Sequence, residues 1–439
     1  MEKIVIAGGR PLRGTIPCSG AKNAALPILI ASLLAPGEHR FTNVPELADI
    51  SSTLDLLGRI GCPSLVNGSI RLDTTRIAFH EAPYDVVRKM RASVLVLGPL
   101  LARCGEAKVS LPGGCAIGTR PIDQHLKGLE ALGCRFELEG GYIHAVAHDL
   151  RGADVHFDMP TVTGTENVLT AAVLARGTTR LHNAAKEPEV ADLCNYLTTL
   201  GARIEGIGTA TLTIEGVARL SPASRPYPIV ADRIEAGTYL CAAAITGGDI
   251  EVVDIDPSLL DATLAKLQEA GCTVTTSSSS ARVRRDGPLT AFTARTAPYP
   301  GLATDMQAQL MALSCMAQGT TTVEENIFEN RFMHAAELLR MGADIEHTGR
   351  VATIRGKNSL QGAAVMASDL RASAALVLAG LAAQGITEVL RIYHLDRGYD
   401  NLVGKLQGVG ARITRASDAI TDRDALQALL AEPSAAVGA

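Results

Sequence analysis

Apolar residues alternate between helical and strand-like spacing, and this alternation repeats six times along the chain. In each copy an amphipathic helical stretch meets a Gly-Ala or Gly-Cys step and then a β-like run. A glycine just past a helix fits the C′ position, where the backbone turns in the left-handed conformation. We therefore predict six equivalent modules. Their glycines recur about every 70 residues, at Gly61, Gly133, Gly201, Gly271, Gly342 and Gly410.

Each copy also carries a more uniformly apolar segment upstream of the amphipathic one. This segment is rich in Ala and Leu and ends at a glycine-containing turn, as in LLAPGEHRF and LARGTTRL. A strand-like run and a loop follow it. Each module is therefore predicted to be helix–strand–helix–strand–strand, and such alternation favours the α/β class.

The sixth copy is incomplete, because no second strand follows the segment ARITR. The N-terminal segment IVIAGGRPLRGTIP resembles VATIRGKNSLQGAAVM of the fifth copy in its succession of strand, glycine, leucine, glycine and strand. We expect residues 1–21 to complete the sixth module, and three modules to form each of two domains. The predicted boundaries are 22–230 for domain 1, 1–21 plus 231–416 for domain 2, and 417–439 for a helical or frayed C-terminal tail.

Polar and charged residues collect at the openings of the six upstream helices. Helix N-termini carry unpaired N–H groups and a partial positive charge, so such openings favour anions. A single opening of this kind is commonly a helix cap or a surface ion pair. Six equivalent openings favour a shared cleft between the two domains. They contain Lys22 and Asn23, Arg91, Thr163, Asp232, Asp305 and Arg371.

Composition narrows the functional classes. The chain has 439 residues, 47% of them hydrophobic and 20% charged, as in a globular protein. A formal net charge of −5 provides no global basic field for nucleic acid. We expect neither a signal peptide nor a membrane span, and nine cysteines without CxxC pairs indicate reduced thiols and a cytoplasmic location. Ten histidines show no HExxH or HxH spacing, so we predict no metal.

The segment LPGGCAIGTRP, residues 111–121, is the strongest candidate for chemistry. Three glycines within seven residues surround Cys115 and precede Arg120. A reactive cysteine on a loop that opens and closes needs this backbone freedom, and a nearby arginine favours its thiolate. The alternative is a cysteine that merely packs in a turn.

Several motifs, in order along the chain, resemble the UDP-N-acetylglucosamine 1-carboxyvinyltransferases, a family of enolpyruvyl transferases. The resemblance covers about residue 3 to residue 415. It implies a two-domain inside-out α/β barrel, or prism, of six βαβαββ units. The motifs are SGAKNAALPIL at 19–29, MRASVLVLGPL at 90–100, LPGGCAIGTRPIDQH at 111–125, TDMQAQ at 304–309, ENRFMH at 329–334, DLRASAALVLAG at 369–380 and YHLDRGY at 393–399.

The resemblance implies transfer of the enolpyruvyl group of phosphoenolpyruvate to the 3-hydroxyl of UDP-N-acetylglucosamine, without a cofactor. Cys115 is then the acid that protonates the methylene carbon, and Asp305 is the base that activates the hydroxyl. Phosphoenolpyruvate, a compact double anion, would be bound by cations. The motif matches for these contacts are Lys22, Arg120 and Arg397, with Asn23 beside them and Arg91 and Arg371 as further cleft arginines.

The same resemblance implies a pocket for the nucleotide sugar. Some members of the family carry a lysine just before the position of Thr161, where this chain has Met159 and Pro160, so the diphosphate contact there is in question. The residues implied are Arg120, Pro121, Ile122, Asp123, Gln124, Thr161, Val162 and Thr163, with Ile327 on the sugar side.

Two alternatives remain, a second enzyme of the same reaction type and a protein of a different functional class. A 3-phosphoshikimate 1-carboxyvinyltransferase shares the fold and the reaction type, but it does not use a loop cysteine. A non-catalytic nucleotide-sugar-binding regulator would have lost catalytic groups, whereas Lys22, Cys115, Asp305 and Arg397 are all present. His394 could act in acid–base chemistry or orient its neighbours, and Asp369 could cap a helix or bond within the cleft.

Overall fold

The structure is a computed structural model that describes residues 2–88, 90–111 and 122–431. For Arg91 and Ala431 it describes the backbone but not the side chain. Short strands and helices alternate throughout these ranges. The strands are β1 (Glu2–Ala7), β2 (Arg13–Pro17), β3 (Glu38–Thr42), β4 (Ser64–Val66), β5 (Ile70–Asp73), β6 (Glu81–Ala82), β7 (Glu106–Ser110), β8 (Arg135–Glu139), β9 (Tyr142–Val146), β10 (Asp154–His156), β11 (Thr178–His182), β12 (Arg203–Glu205), β13 (Thr211–Glu215), β14 (Tyr227–Pro228), β15 (Asp249–Val253), β16 (Thr273–Thr276), β17 (Ser280–Arg284), β18 (Thr293–Arg295), β19 (Thr320–Glu324), β20 (Asp344–Thr348), β21 (Val351–Arg355), β22 (Ala364–Met366), β23 (Ile386–Leu390) and β24 (Arg412–Ser417).

Two kinds of helix connect these strands. Short 3₁₀ turns cover Ser32–Leu34, Arg91–Val96, Pro257–Leu260, Thr304–Met306 and Ile392–Arg397. The α-helices are α1 (Lys22–Ala31), α2 (Ala48–Ile60), α3 (Tyr84–Val87), α4 (Leu97–Cys104), α5 (Asp123–Ala131), α6 (Val162–Ala172), α7 (Pro188–Thr199), α8 (Arg233–Thr246), α9 (Asp261–Glu269), α10 (Gln307–Ser314), α11 (His334–Arg340), α12 (Leu370–Ala382), α13 (Leu402–Gly408) and α14 (Arg423–Ala431).

The described strands form six four-stranded sheets of identical design. In the sheet β10-β11-β13-β12, β10 and β11 are parallel and the remaining pairs are antiparallel. One helix follows the first strand and a second helix follows the second strand, which gives a βαβαββ unit. The predicted α/β class and its six repeats are therefore confirmed. The other sheets are β14-β3-β5-β4, β6-β7-β9-β8, β2-β15-β17-β16, β18-β19-β21-β20 and β22-β23-β1-β24.

The six repeat glycines all adopt left-handed backbone conformations, as predicted. Each lies where the second helix of its unit ends, and this conformation carries a steric penalty for residues with a Cβ atom. The six φ angles are 105° at Gly61, 98° at Gly133, 104° at Gly201, 90° at Gly271, 86° at Gly342 and 97° at Gly410.

The N-terminal segment serves two sheets rather than one. β1 pairs antiparallel with both β23 and β24 and so supplies the last strand of the sixth unit, as expected. β2, however, pairs parallel with β15 and supplies the first strand of the fourth unit. The expectation that residues 1–21 as a whole complete the sixth unit is therefore wrong for Arg13–Pro17. The first unit likewise takes its first strand, β14, from the end of the third.

The described chain forms two compact units, each with its own hydrophobic core. The first unit contains residues 20–111 and 122–230, and the second contains residues 2–19 and 231–431. In the second unit, the apolar helices α8, α10 and α12 pack against one another inside the sheets. The C-terminal helix α14 packs on β1 and β24 of that unit and buries Leu426 against Val5. Within the described ranges, no helix has the length and apolarity needed to cross a bilayer.

Candidate functional site

Lys22 is a buried cation at the opening of the first unit. It is the first residue of α1 and only 7% exposed, and its Nζ lies 3.1 Å from Oδ2 of Asp49 in the first turn of α2. The N–H of Ala21 donates to the carbonyl of Val230, which fixes the chain just before the helix. A lysine is seldom buried without a charged partner, so this site is built to hold a positive charge. The predicted donor Asn23 follows on the exposed side of the helix.

Gln124 connects the start of α5 to the loop before α6 through hydrogen bonds. Its Nε2 donates to Oδ2 of Asp158 at 2.9 Å, and its Oε1 accepts the backbone N–H of Asp158, also at 2.9 Å. Asp123, which begins α5, is exposed and accepts a third bond from the same amide at 3.0 Å. Hydrogen bonds from Lys127 and Gln124 lower the pKa of Asp158. Gln124 therefore orders this loop, and Ile122 packs half-buried beside it against the core.

Thr161 and Thr163 occupy defined places at the opening of α6. The Oγ1 of Thr161 caps the helix by accepting the N–H of Gly164, and the Oγ1 of Thr163 lies 3.1 Å from Nε2 of His125. Nδ2 of Asn167 is 3.1 Å from Nδ1 of the same imidazole, while Oδ1 of Asn167 accepts the N–H of Gly98. The amide nitrogen therefore faces the imidazole. Nδ1 accepts, and Nε2 carries the proton donated to Thr163.

His125 and Asn167 were given no role by the sequence, although His125 ends one of the recognised motifs and Asn167 belongs to the polar opening of α6. Both side chains are buried, at 2% and 0% exposure. Their hydrogen bonds join α5 to α6, and no local pattern in either helix predicts that contact. Val162 between the two threonines is the first residue of α6.

Asp305 lies between two arginines in the second unit. It is the middle residue of the 3₁₀ turn Thr304–Met306 that leads into α10. Its Oδ1 accepts a bond from Nη2 of Arg331 at 2.6 Å, and its Oδ2 accepts one from Nε of Arg371 at 3.2 Å. Its side chain keeps 24% exposure. The two guanidinium groups fix the orientation of the carboxylate and compensate its charge.

Arg371 is almost completely buried, at 1% exposure. Its Nη2 lies 3.8 Å from Oδ2 of Asp232, and its guanidinium lies 5.1 Å from the ring centre of Tyr399. Burial lowers the pKa of Arg371, but Tyr399, Asp232 and Asp305 outweigh burial and raise that pKa above its ordinary value. Arg371 is therefore a permanent charge that joins the openings of three helices. The sequence identified Arg371 but missed the roles of Arg331, Asp232 and Tyr399.

The sequence left open the roles of two residues, Asp369 just before α12 and His394 in the 3₁₀ turn that contains Arg397. Asp369 caps α12, because its Oδ1 accepts the N–H groups of Arg371 and Ala372 at 2.9 and 3.0 Å. Burial and the charges of Arg397 and Arg391 lower the pKa of His394. Arg397 ends the 3₁₀ turn Ile392–Arg397 and is half-buried.

Three predicted site residues, Cys115, Arg120 and Pro121, lie outside the described residues, as does the side chain of Arg91. The structure brings Asp305 and Arg371 together in the second unit and places Lys22, Asn23 and Gln124 at helix openings of the first. Ile327 is half-buried, and its N–H donates to Glu325. Among the residues that the structure describes, no three His, Cys, Asp or Glu side chains converge as metal ligands.

Known proteins similar to this chain are enolpyruvyl transferases. The family of EPSP synthase (3-phosphoshikimate 1-carboxyvinyltransferase) matches residues 6–406. The UDP-N-acetylglucosamine 1-carboxyvinyltransferase of Trichlorobacter lovleyi is 56% identical over 420 residues, which cover 95% of this chain and 100% of that protein. The protein of the same name from Desulfovibrio desulfuricans is 57% identical over 417 residues, which cover 94% and 99% respectively.

A solved structure agrees with these sequence matches. The enolpyruvyl transferase NikO from Streptomyces tendae has a TM-score of 0.85 and 25% identity to this chain, with coverage of 94% of this chain and 99% of NikO. Six βαβαββ units with charged helix openings define the class of protein. The chain belongs to the enolpyruvyl transferase family.

Proposed function

We propose that this chain transfers the enolpyruvyl group of phosphoenolpyruvate to the 3-hydroxyl of UDP-N-acetylglucosamine and releases phosphate. The observation that carries the proposal is a carboxylate, Asp305, held between Arg331 and Arg371 at the opening of a helix. The relatives at 56% and 57% identity are named for this acceptor, which favours it over 3-phosphoshikimate.

In this proposal phosphoenolpyruvate is bound by Lys22, Arg120 and Arg397, with Asn23 as a neutral donor. The substrate carries a phosphate and a carboxylate on one carbon, and several cations at short range can compensate both groups. The buried Lys22 suits this task because its desolvated charge acts more strongly than an exposed one. Arg91 and Arg371 hold further anionic groups or help to close the site.

The proposed chemistry is addition followed by elimination. Cys115 gives a proton to C3 of phosphoenolpyruvate, and positive charge builds at C2. The sugar 3-hydroxyl attacks C2 while Asp305 accepts its proton. The resulting tetrahedral ketal returns a proton from C3 to the Cys115 thiolate and expels phosphate, which restores the double bond. The thiolate of Cys115 can also add to C2 as a covalent phospholactoyl adduct.

The nucleotide sugar is proposed to lie along the openings of α5 and α6. Arg120, Pro121, Ile122, Asp123 and Gln124 would contact the uracil and diphosphate. Thr161, Val162 and Thr163 would line the same pocket, and Ile327 would contact the sugar. Because the Thr163 oxygen already accepts from His125, its own hydroxyl proton can point to an acceptor on the ligand.

We further propose that the reaction is the first committed step of peptidoglycan synthesis in the cytoplasm and a target of fosfomycin. A phosphate-release assay with both substrates tests the activity, and 3-phosphoshikimate as acceptor is the control. Cys115→Ser is expected to lower turnover by about 10²-fold or more with an unchanged circular dichroism spectrum. Near-normal turnover of Cys115→Ser would contradict the acid role, and release only with 3-phosphoshikimate would contradict the acceptor.

A further inference from the structure

The structure assigns Glu325 and Thr304 a positioning role: together they hold Arg331 so that it orients the carboxylate of Asp305. This inference rests on the proposed function, because it takes Asp305 as the base. Neither residue was given a role by the sequence motifs. All the contacts lie within the second unit and join the loop after β19 to the 3₁₀ turn that contains Asp305.

Glu325 is a buried carboxylate, at 1% exposure, and it accepts four hydrogen bonds. Its Oε1 accepts the N–H groups of Ile327 and Phe328 at 2.8 and 3.0 Å and the hydroxyl of Thr296 at 3.1 Å. Its Oε2 accepts the hydroxyl of Thr304 at 2.8 Å. A buried carboxylate is tolerated when it is saturated with donors in this way. Glu325 is therefore rigid, and it fixes both Ile327 and Thr304.

The donor and acceptor of each hydrogen bond show how Glu325 determines the orientation of Asp305. An ionised carboxylate only accepts, so the Thr304 hydroxyl must give its proton to Glu325. The Thr304 oxygen can then accept from Nη1 of Arg331, and that bond is 2.8 Å long. With Nη1 fixed, the planar guanidinium directs Nη2 at Oδ1 of Asp305, 2.6 Å away. Arg331 is only 5% exposed.

A catalytic base must present its lone pair to the substrate hydroxyl within a narrow range of distance and angle. Without the Thr304 hydroxyl, Nη1 of Arg331 loses a buried acceptor, and the guanidinium is expected to rotate towards another one. The Asp305 carboxylate would follow it. We call the hydrogen bonds from Glu325 through Thr304 and Arg331 to Asp305 the relay. The substitution should lower kcat, because the cations proposed for phosphoenolpyruvate are not part of this relay.

The decisive comparison is Thr304→Val against Thr304→Ser. Valine keeps the shape of threonine but lacks the hydroxyl, whereas serine keeps the hydroxyl. We expect kcat to fall about 10-fold in Thr304→Val and to stay within about twofold in Thr304→Ser, with KM for phosphoenolpyruvate within about twofold in both. Glu325→Gln should behave like Thr304→Val, because an amide nitrogen facing Thr304 reverses the direction of the bond.

Glu324→Gln is the matched control. Glu324 is adjacent in sequence, but it pairs at 2.7 Å with the exposed Arg295 on the sheet surface. Its substitution should leave kcat and KM unchanged. Unchanged kcat in Thr304→Val, or an equal loss in Thr304→Ser, would overturn the relay.

A crystal structure of Thr304→Val gives a readout that does not depend on turnover. We expect the Arg331 guanidinium and the Asp305 carboxylate to shift from their wild-type positions in Thr304→Val but not in Thr304→Ser. If the Asp305 carboxylate did not move in Thr304→Val, the relay would be refuted, whether or not the protein has the proposed activity. Absence of phosphate release by the wild-type chain would instead refute the proposed function and leave the structural comparison to decide the relay.

Discussion

Burial sets the acidity of the eight cysteines that the structure describes. Seven of them are buried and Cys104 is half-buried. Burial raises the pKa of Cys62 to about 11 and that of Cys134 to about 12, and it raises the pKa of the other six as well. These thiols are therefore protonated and poorly nucleophilic at neutral pH.

Fosfomycin, an electrophilic epoxide, is therefore expected to alkylate Cys115 alone among the nine cysteines. The raised pKa values of the eight others remove their thiolates, whereas Arg120 close in sequence to Cys115 favours a thiolate there. Peptide mapping by mass spectrometry after labelling at pH 7.5 measures the site. The protein unfolded in urea and the variant Cys115→Ser are the controls. Labelling of a core cysteine in the folded protein, or none at Cys115, would contradict the expectation.

The arginine and aspartate contacts show what a sequence can and cannot predict about a site. Asp305 and Arg371 were both identified from the openings of their helices and from motifs. Their contact was not predicted, because it joins residues 66 positions apart on two different repeats. Arg331 stood within a recognised motif, but only the fold shows that its guanidinium reaches Asp305.

At the scale of the elements, the same turn follows the second strand in four of the six units. In three of them its residue is Asn or Asp, with a positive φ angle of 53° at Asn43, 58° at Asn183 and 62° at Asp254. Asparagine and aspartate tolerate this conformation better than other residues with a Cβ atom. In the sixth unit the same position is the exposed Arg391, with a φ of 58°. Arginine has no such tolerance, so this turn stores strain.

Replacing Arg391 by Asn should therefore stabilise the protein by about 0.5–1 kcal/mol. Urea unfolding followed by circular dichroism measures the change. Asn43→Ala is the opposing control. It should destabilise by about 1–2 kcal/mol, because it also loses the 2.8 Å bond from Nδ2 to the carbonyl of Ile229. A destabilised Arg391→Asn variant would show that the arginine side chain, not the backbone, governs this turn.

The elements that the sequence predicted best are those with a conformational requirement. The six glycines end their helices as predicted, because few other residues adopt the left-handed conformation without cost. The first strand of each unit was harder to predict from the sequence. β6 and β14 have two residues each, too few to show a period, and the sheet that β2 joins depends on pairing with a strand far along the chain.

At the scale of the whole molecule, the described residues form two large hydrophobic cores, beside a small third cluster under α14. One core contains residues from Ala21 to Ile229, and the other joins the N-terminal strands to residues from Ile234 to Ile413. β1 is central to its sheet, with β23 on one side and β24 on the other. Ile4, Val5 and Ile6 are all 0% exposed. The N-terminal strand is thus an internal part of the second unit.

A cavity in β1 should therefore loosen the second unit and leave the first unchanged. Ile6→Ala removes buried methyl and methylene groups and should cost about 2–4 kcal/mol. Hydrogen exchange measured by mass spectrometry should show faster exchange across residues 2–19 and 231–431, with unchanged rates across 20–111 and 122–230. Leu72→Ala in β5, also at a 0% exposed position, is the matched control and should give the reverse pattern. If Ile6→Ala accelerated exchange in both units equally, the chain would unfold as one cooperative body and the predicted division into two domains would be wrong.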